Sequence, residues 1–193
     1  EQYDYTKQRV SSVADHVSVD LQDYRTVTGQ FDAIISIEMI EAVGHDYLPV
    51  FFETCNRLLK PGGRMALQSI IYQQDDIYNR YRKNSDFIRK HIFPGGHLPA
   101  RRALNQMIKQ HTQFSLCDSM NIASSYAKTL NLWRQAVIHQ KDQMMALGLD
   151  DLFYRKWVDY LAYCEAGFAT DYLGCYHFIY EKITNQTTRL TIH

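Results

Sequence analysis

The alternation of apolar and polar positions divides the chain into short blocks, and one block stands out. Phe31-Asp32-Ala33-Ile34-Ile35-Ser36-Ile37 is an apolar, β-branched run that stops at two carboxylates three residues apart, Glu38 and Glu41, followed by Gly44 and His45. A buried parallel strand reads this way. Upstream, Tyr3, Val10 and Val13 among polar neighbours predict a helix over 2–14. Val17 to Leu21 alternates and predicts a strand running into the polar Gln22-Asp23-Tyr24-Arg25, with a turn at Gly29. Downstream, Tyr47, Val50, Phe51, Cys55, Leu58 and Leu59 recur at helical spacing over 46–59. Lys60-Pro61-Gly62-Gly63 is a helix stop, and a strand follows over 64–72. Strand, helix, turn, strand is a βαβ unit, which predicts two parallel strands.

Residues 73–99 are polar, basic and aromatic, and close in Ile92-Phe93-Pro94-Gly95-Gly96-His97-Leu98-Pro99. They predict a helical insertion at about 73–111, closed by a rigid turn and followed by a short helix over 100–111. A strand is predicted over 114–122. Helices are predicted over 126–145 (Leu130, Leu132, Trp133, Val137, Met144) and 150–168 (Leu152, Phe153, Trp157, Leu161, Phe168), and a closing strand over 175–183. With no repeat, low-complexity tract or linker, the pattern predicts one α/β domain over 1–193. Open α/β sheets bind ligands beyond the carboxyl ends of their strands. Polar residues at three successive strand ends, Gln22/Asp23/Tyr24, Glu38/Glu41 and Gln68, therefore mark a candidate site, although residues at a strand end also face solvent without any chemistry.

Composition changes this picture little. Of 193 residues, 46% are hydrophobic and 22% charged, as in ordinary globular domains, and 14 Tyr with 9 Phe are enough to line an apolar groove. Four scattered cysteines without a C-x-x-C pair predict reduced thiols and a cytoplasmic setting. There is no signal-like start and no apolar run of membrane-spanning length. The net charge of zero hides an asymmetry. Residues 1–60 hold ten acids against five bases, whereas 78–111 hold Arg80, Arg82, Lys83, Arg89, Lys90, Arg101, Arg102 and Lys109 against Asp86 alone. Such a block suits an anionic surface, or is a solvated face balanced elsewhere.

Motif chemistry excludes more than it suggests. G-x-x-x-x-G-K-[ST], G-x-G-x-x-G and G-x-S-x-G are all absent, so neither a phosphate cradle nor a nucleophile elbow can be argued. The eight His form no H-x-x-x-H pair, which predicts no metal site. The helices lack the basic-aromatic pattern of a nucleic-acid reader.

The residues do resemble a known family. Leu21-Gln22-Asp23-Tyr24-Arg25, the run from Phe31 to His45, Leu59-Lys60-Pro61-Gly62-Gly63, Ile92 to Pro99, Tyr126-Ala127-Lys128-Thr129-Leu130 and Tyr160-Leu161-Ala162-Tyr163-Cys164 are similar to the C-terminal two-thirds of the cyclopropane-fatty-acyl-phospholipid and mycolic acid cyclopropane synthases. The resemblance implies a Rossmann-like class I fold, S-adenosylmethionine as cofactor, and unsaturated phospholipid acyl chains at a peripheral membrane surface as substrate. It implies that Gln2 bonds the cofactor's ribose, that Asp23 and Tyr24 flank the adenine, and that Ile37 lines the adenosine pocket. It implies that Glu41, Tyr126 and the backbone of Ile70 hold a bicarbonate ion, the base that removes a proton as the ring closes. Gln68 stands where the family has a His ligand. Gln cannot titrate, so a methyltransferase that stops short of ring closure is an alternative, as is a small-molecule methyltransferase, with Glu165 as a replacement carboxylate. Glu38 keeps a supporting or cofactor-side role. The resemblance places the family's first two strands and Gly-rich loop before Glu1. It therefore predicts an incomplete fold, a gap between the strand near residue 19 and that near 34, weak cofactor binding or none, and a gap filled by dimerising or by re-paired strands. A non-catalytic fragment is the remaining alternative.

Overall fold

A computed structural model describes residues 1–184; the predicted end of the domain at 193 lies outside them. Helix α1 (Gln2–Arg9) leads to strand β1 (Phe31–Ile37), helix α2 (Leu48–Leu58) and strand β2 (Leu59–Tyr72). The insertion carries α3 (Asp75–Tyr81), α4 (Phe87–His91) and α5 (Arg101–His111). Strand β3 (Phe114–Asn121), helices α6 (Ala123–His139), α7 (Lys141–Ala146) and α8 (Asp151–Ala169), and strand β4 (Leu173–Lys182) complete the described chain. The strand order is β1-β2-β4-β3. β1 and β2 are parallel, as the βαβ pattern requires, while β4 inserts antiparallel between β2 and β3.

The period of two in a strand sorts β2 into two faces. Met65, Leu67 and Ile71 join Phe178 and Tyr180 of β4 in a core covered by Leu48, Phe51 and Phe52 of α2 and Leu104 and Ile108 of α5. On the other face, Ile70, Tyr72, Leu173 and Cys175 pack against Leu130 of α6 and Leu161 and Phe168 of α8. The helices of the predicted basic block are thereby divided: α5 covers one face of the sheet, while Ile77 and Tyr78 of α3 join the core of the other.

Several expectations need correction. Residues 17–21 form no strand. An alternating pattern becomes a strand only when a neighbour pairs its backbone, and among the described residues β1, the outer strand on this side, pairs only with β2. Leu21 is 83% exposed, and Ile35 and Ile37 are 72% and 64% exposed. The expected internal gap is therefore an open edge. The Pro61-Gly62-Gly63 turn lies within β2, as an excursion between the pairs Phe31↔Leu59 and Ala33↔Arg64. Gly63 is required there, because a Cβ would lie 2.8 Å from the Asp32 carbonyl oxygen. The first helix stops at Arg9 and continues only as a 3-10 turn, Ser11–Val13. The helix predicted over 126–145 breaks at Gln140 and begins earlier, at Ala123, whose N–H donates to Asn121 Oδ1 at 3.0 Å. This earlier start places Tyr126 in the first turn of α6.

Candidate functional site

The site begins where β1 ends. Glu38 N–H donates to the Gln68 carbonyl at 3.0 Å, extending the parallel pairing by one bond. Glu38 then adopts φ 51°, the left-handed region that a side chain disfavours, and so turns the chain out of the sheet. A 3-10 turn, Ile40–Ala42, follows, anchored by the fully buried Ile40. Glu41 reaches back from it to β2. Its Oε1 accepts from the Ile70 N–H at 2.7 Å and the Ser69 hydroxyl at 2.9 Å. Among the described residues its Oε2 is buried without a hydrogen-bond partner. Burial raises the Glu41 carboxyl above the usual range, opposed by the Ile70 and Ser69 bonds.

Glu38 has a different environment. The Gln68 amide donates from Nε2 to Glu38 Oε1 at 2.7 Å and to the Tyr126 hydroxyl at 2.8 Å. Tyr126 donates to the same Glu38 oxygen, with the Cys175 thiol 4.0 Å from it. Burial, then the bond to Glu38, holds the Tyr126 phenol far above its usual range, so it stays protonated. The Cys175 thiol is pushed up to about 12 by burial and then by the Glu38 charge. The Gln68 carbonyl oxygen accepts from His177 on β4, at 2.7 Å between Oε1 and Nε2.

Both carboxylates line a cavity of about 830 Å³, within the range of roughly 300–1,000 Å³ typical of small-molecule sites. Ile70, Tyr81, Phe93, Tyr160 and Phe168 give it a largely apolar wall, the Ile92–Pro99 turn contributing one side. Beside it runs a chain of polar groups. Arg82 donates to His45 Nε2 at 2.7 Å; His45 Nδ1 lies 2.6 Å from the Tyr78 hydroxyl, which is 3.3 Å from His97 Nε2. Burial lowers the His97 imidazole to about 4, so it is neutral, while the His97 backbone N–H donates to the Glu41 carbonyl at 2.7 Å.

The fold thus brings Glu41, Gln68, Ile70 and Tyr126 together, but in two groups. Gln68 and Tyr126 serve Glu38, and Glu41 is held by Ser69 and Ile70. Glu165 is no replacement carboxylate for the cavity. It bonds Arg134 at 2.9 Å and Asn131 at 2.7 Å across the α6–α8 contact, and these bonds hold its carboxyl below the usual range. Ile37 is exposed directly before Glu38. Asp23 caps the 3-10 turn Tyr24–Thr26, is forked by the Arg25 guanidinium and is lowered to about 2 by it. The Tyr24 ring meets Phe51 of α2 edge-on, centroids 5.6 Å apart. Gln2 lies on the exposed α1. Sequence reasoning missed the central place of Glu38 and the roles of Ser69, Cys175 and His177. The one available signal for His177 is its phase in the alternation of β4. Among the described residues no group of three His, Cys, Asp or Glu can hold a metal, and no helix is long and apolar enough to cross a membrane.

The family described as "Mycolic acid cyclopropane synthetase" matches residues 1–178. The tuberculostearic acid methyltransferase UfaA1 of Mycobacterium tuberculosis is 40% identical over 180 residues, covering 92% of this chain and 42% of its own. The cyclopropane-fatty-acyl-phospholipid synthase of Escherichia coli K12 is 30% identical over 167 residues, covering 86% and 41%. The chain therefore spans less than half the length of these relatives. The solved structure of the mycolic acid cyclopropane synthase CmaA1, complexed with SAH and CTAB, matches with a TM-score of 0.77 at 26% identity, covering 92% of this chain and 67% of that one. The fold is that of class I S-adenosylmethionine-dependent methyltransferases. On its sequence match and its fold, the chain belongs to the mycolic acid cyclopropane synthetase family.

Proposed function

We propose that the protein transfers a one-carbon unit from S-adenosylmethionine to the double bond of an unsaturated fatty acyl chain of a phospholipid. The observation that carries this reading is a pair of unlike carboxylates in an apolar cavity: Glu38, met by the Gln68 and Tyr126 donors, and Glu41, buried with one oxygen unpartnered. Apolar walls take an acyl chain, and water is excluded from a cation that it would quench. The negative charge of Glu38 favours a carbocation on the alkene carbon. Glu41 accepts a proton from the newly attached methyl group, and its raised affinity for protons suits a general base. The Tyr160 and Phe168 rings of the wall offer faces to the same positive charge.

The residues present fit the cofactor. Asp23 stays charged and keeps lone pairs beyond those taken by Arg25, Tyr24 offers a half-buried ring, and Ile37 offers an exposed apolar surface. With Gln2 they would hold the adenosine, and the cofactor supplies an electrophilic methyl group on sulfur. A bicarbonate ion does not fit. Gln68 and Tyr126, the donors that would hold it, end on Glu38, and the anion would stand against two carboxylates.

Once the alkene has taken the methyl group, two closures lose a proton from that same methyl carbon. If its C–H electron pair bonds to the cationic neighbour, a cyclopropane forms. If hydride first shifts from the methylated carbon to the cationic one, the same proton loss gives a methylene branch. The second closure is favoured by the likeness to a relative named as a tuberculostearic acid methyltransferase. Incubation with S-adenosylmethionine and vesicles of monounsaturated phospholipid tests the proposal by mass spectrometry of the lipids. A gain of one CH₂ is expected, and its absence overturns the reading. Catalytic hydrogenation separates a methylene branch, which takes up hydrogen, from a ring, which resists it.

The exposed Arg80, Arg82, Lys83 and Lys90 stand on the segment whose Ile88, Ile92 and Phe93 line the cavity, and Phe93 is 53% exposed. Cations around an apolar opening favour an anionic lipid surface as partner.

A further inference from the structure

We infer that His177 is a positioning residue for the proposed transfer, setting the orientation of the Gln68 amide by donating to its carbonyl oxygen; the inference rests on the methyl-transfer reading above. His177 and Gln68 are direct partners in the antiparallel β2–β4 ladder, and they project to the face that also carries Ile70 and Cys175. On its other side His177 is paired with Met120 of β3.

A side-chain amide is nearly symmetric in shape. Gln68 fits its slot equally well with nitrogen and oxygen exchanged, and only hydrogen-bond partners tell the two apart. A carboxylate only accepts, so the productive orientation directs Nε2 at Glu38 and Tyr126, at 2.7 and 2.8 Å. Oε1 then faces His177 Nε2 at 2.7 Å, which requires the imidazole proton on Nε2. The reversed amide would set an oxygen against the Glu38 carboxylate and release Tyr126 from its donor. His177, 109 residues away in sequence, thus holds the amide in the orientation that the Glu38 carboxylate requires, by donating to its carbonyl oxygen. Its side chain acts through Gln68 rather than on substrate.

Two measurements on the protein test this. In spectra of ¹⁵N-histidine-labelled protein at neutral pH, His177 is expected to carry its proton on Nε2, and to lose that preference when Gln68→Leu removes the acceptor. A ring protonated on Nδ1 alone overturns the inference. In lipid methylation assays, His177→Phe is expected to lower kcat about tenfold, with KM for lipid and affinity for S-adenosylhomocysteine within twofold. His177→Gln, which retains a donor, is expected to recover most of that loss. In a Gln68→Leu background His177→Phe is expected to do nothing further. Undiminished kcat in His177→Phe, or losses that multiply in the double variant, overturn the inference. The ring-nitrogen measurement decides it even where no methyl transfer is detected, the separate result that would overturn the transfer reading itself.

Discussion

The Tyr126 hydroxyl at the start of α6 donates to Oε1 of Glu38 at the end of β1, across 88 residues of sequence. This bond ties the α6–α8 layer to the strand end from which the site is built. It also makes Glu38 a carboxylate with its donors in place, while Glu41, three residues on, has an unpartnered oxygen.

If Glu41 has the proposed role, its isosteric amide will lose turnover while keeping cofactor affinity. Glu41→Gln removes the base and is expected to lower lipid methylation by roughly a hundredfold or more, in line with loss of general-base catalysis. Affinity for S-adenosylhomocysteine should stay within about threefold, because Glu41 touches Ser69 and Ile70 rather than the adenosine side. Steady-state rates and calorimetry on Glu41→Gln check this. Full activity in Glu41→Gln would remove it from the mechanism.

Glu38 pays for its position in backbone strain, and that strain can be read by stability. At φ 51° a residue with a Cβ is disfavoured by about 1 kcal/mol or more relative to glycine. Glu38→Gly and Glu38→Ala both delete the carboxylate and leave the same donors unmet. The glycine variant should nevertheless be about 1 kcal/mol more stable in urea titrations. Equal stabilities would mean that the left-handed turn is not retained.

His97 links stability to pH. Its folded-state value of about 4, lowered first by burial and then by His45 and nearby arginines, lies below the ordinary 6.5. The unfolded chain therefore takes up a proton that the folded chain refuses as pH falls from 6.5 towards 4. The contribution is whole above pH 6.5 and is lost across that window, a loss of about 3 kcal/mol that levels off below pH 4. Chemical denaturation of the protein and of His97→Gln should show the difference: the variant's stability falls less over this interval, and parallel curves would contradict the assignment.

The basic residues beside the cavity should act through charge alone. Replacing both Lys83 and Lys90 by Ala should weaken binding to anionic phospholipid vesicles by roughly ten- to thirtyfold at low salt, at about 1 kcal/mol per cation. Binding to zwitterionic vesicles should be unaffected, and raised ionic strength should shrink the difference. Vesicle co-sedimentation checks this, and equal loss on both lipids would point to unfolding or to an apolar contact instead.

Local pattern determined much of the fold. The run Phe31–Ile37, the spacing of Phe51, Cys55 and Leu58, and the Pro-Gly-Gly stop carry their own geometry, so β1, α2 and the parallel pairing with β2 were legible, whereas Gln68, read as a strand end, lies inside β2, which runs on to Tyr72. Where pairing partners decide, the pattern misled: Val17–Leu21 alternates like a strand, yet among the described residues no backbone pairs with it to complete a ladder. The division of the site into two groups was likewise out of reach. It depends on the register that sets His177 opposite Gln68, on the first turn of α6 that brings Tyr126 to Glu38, and on a left-handed residue that turns Glu41 back onto Ile70. Each is a contact between segments far apart in the chain. Hydrophobic periodicity says which face of an element is buried, but only tertiary packing says which donor on that face meets which acceptor.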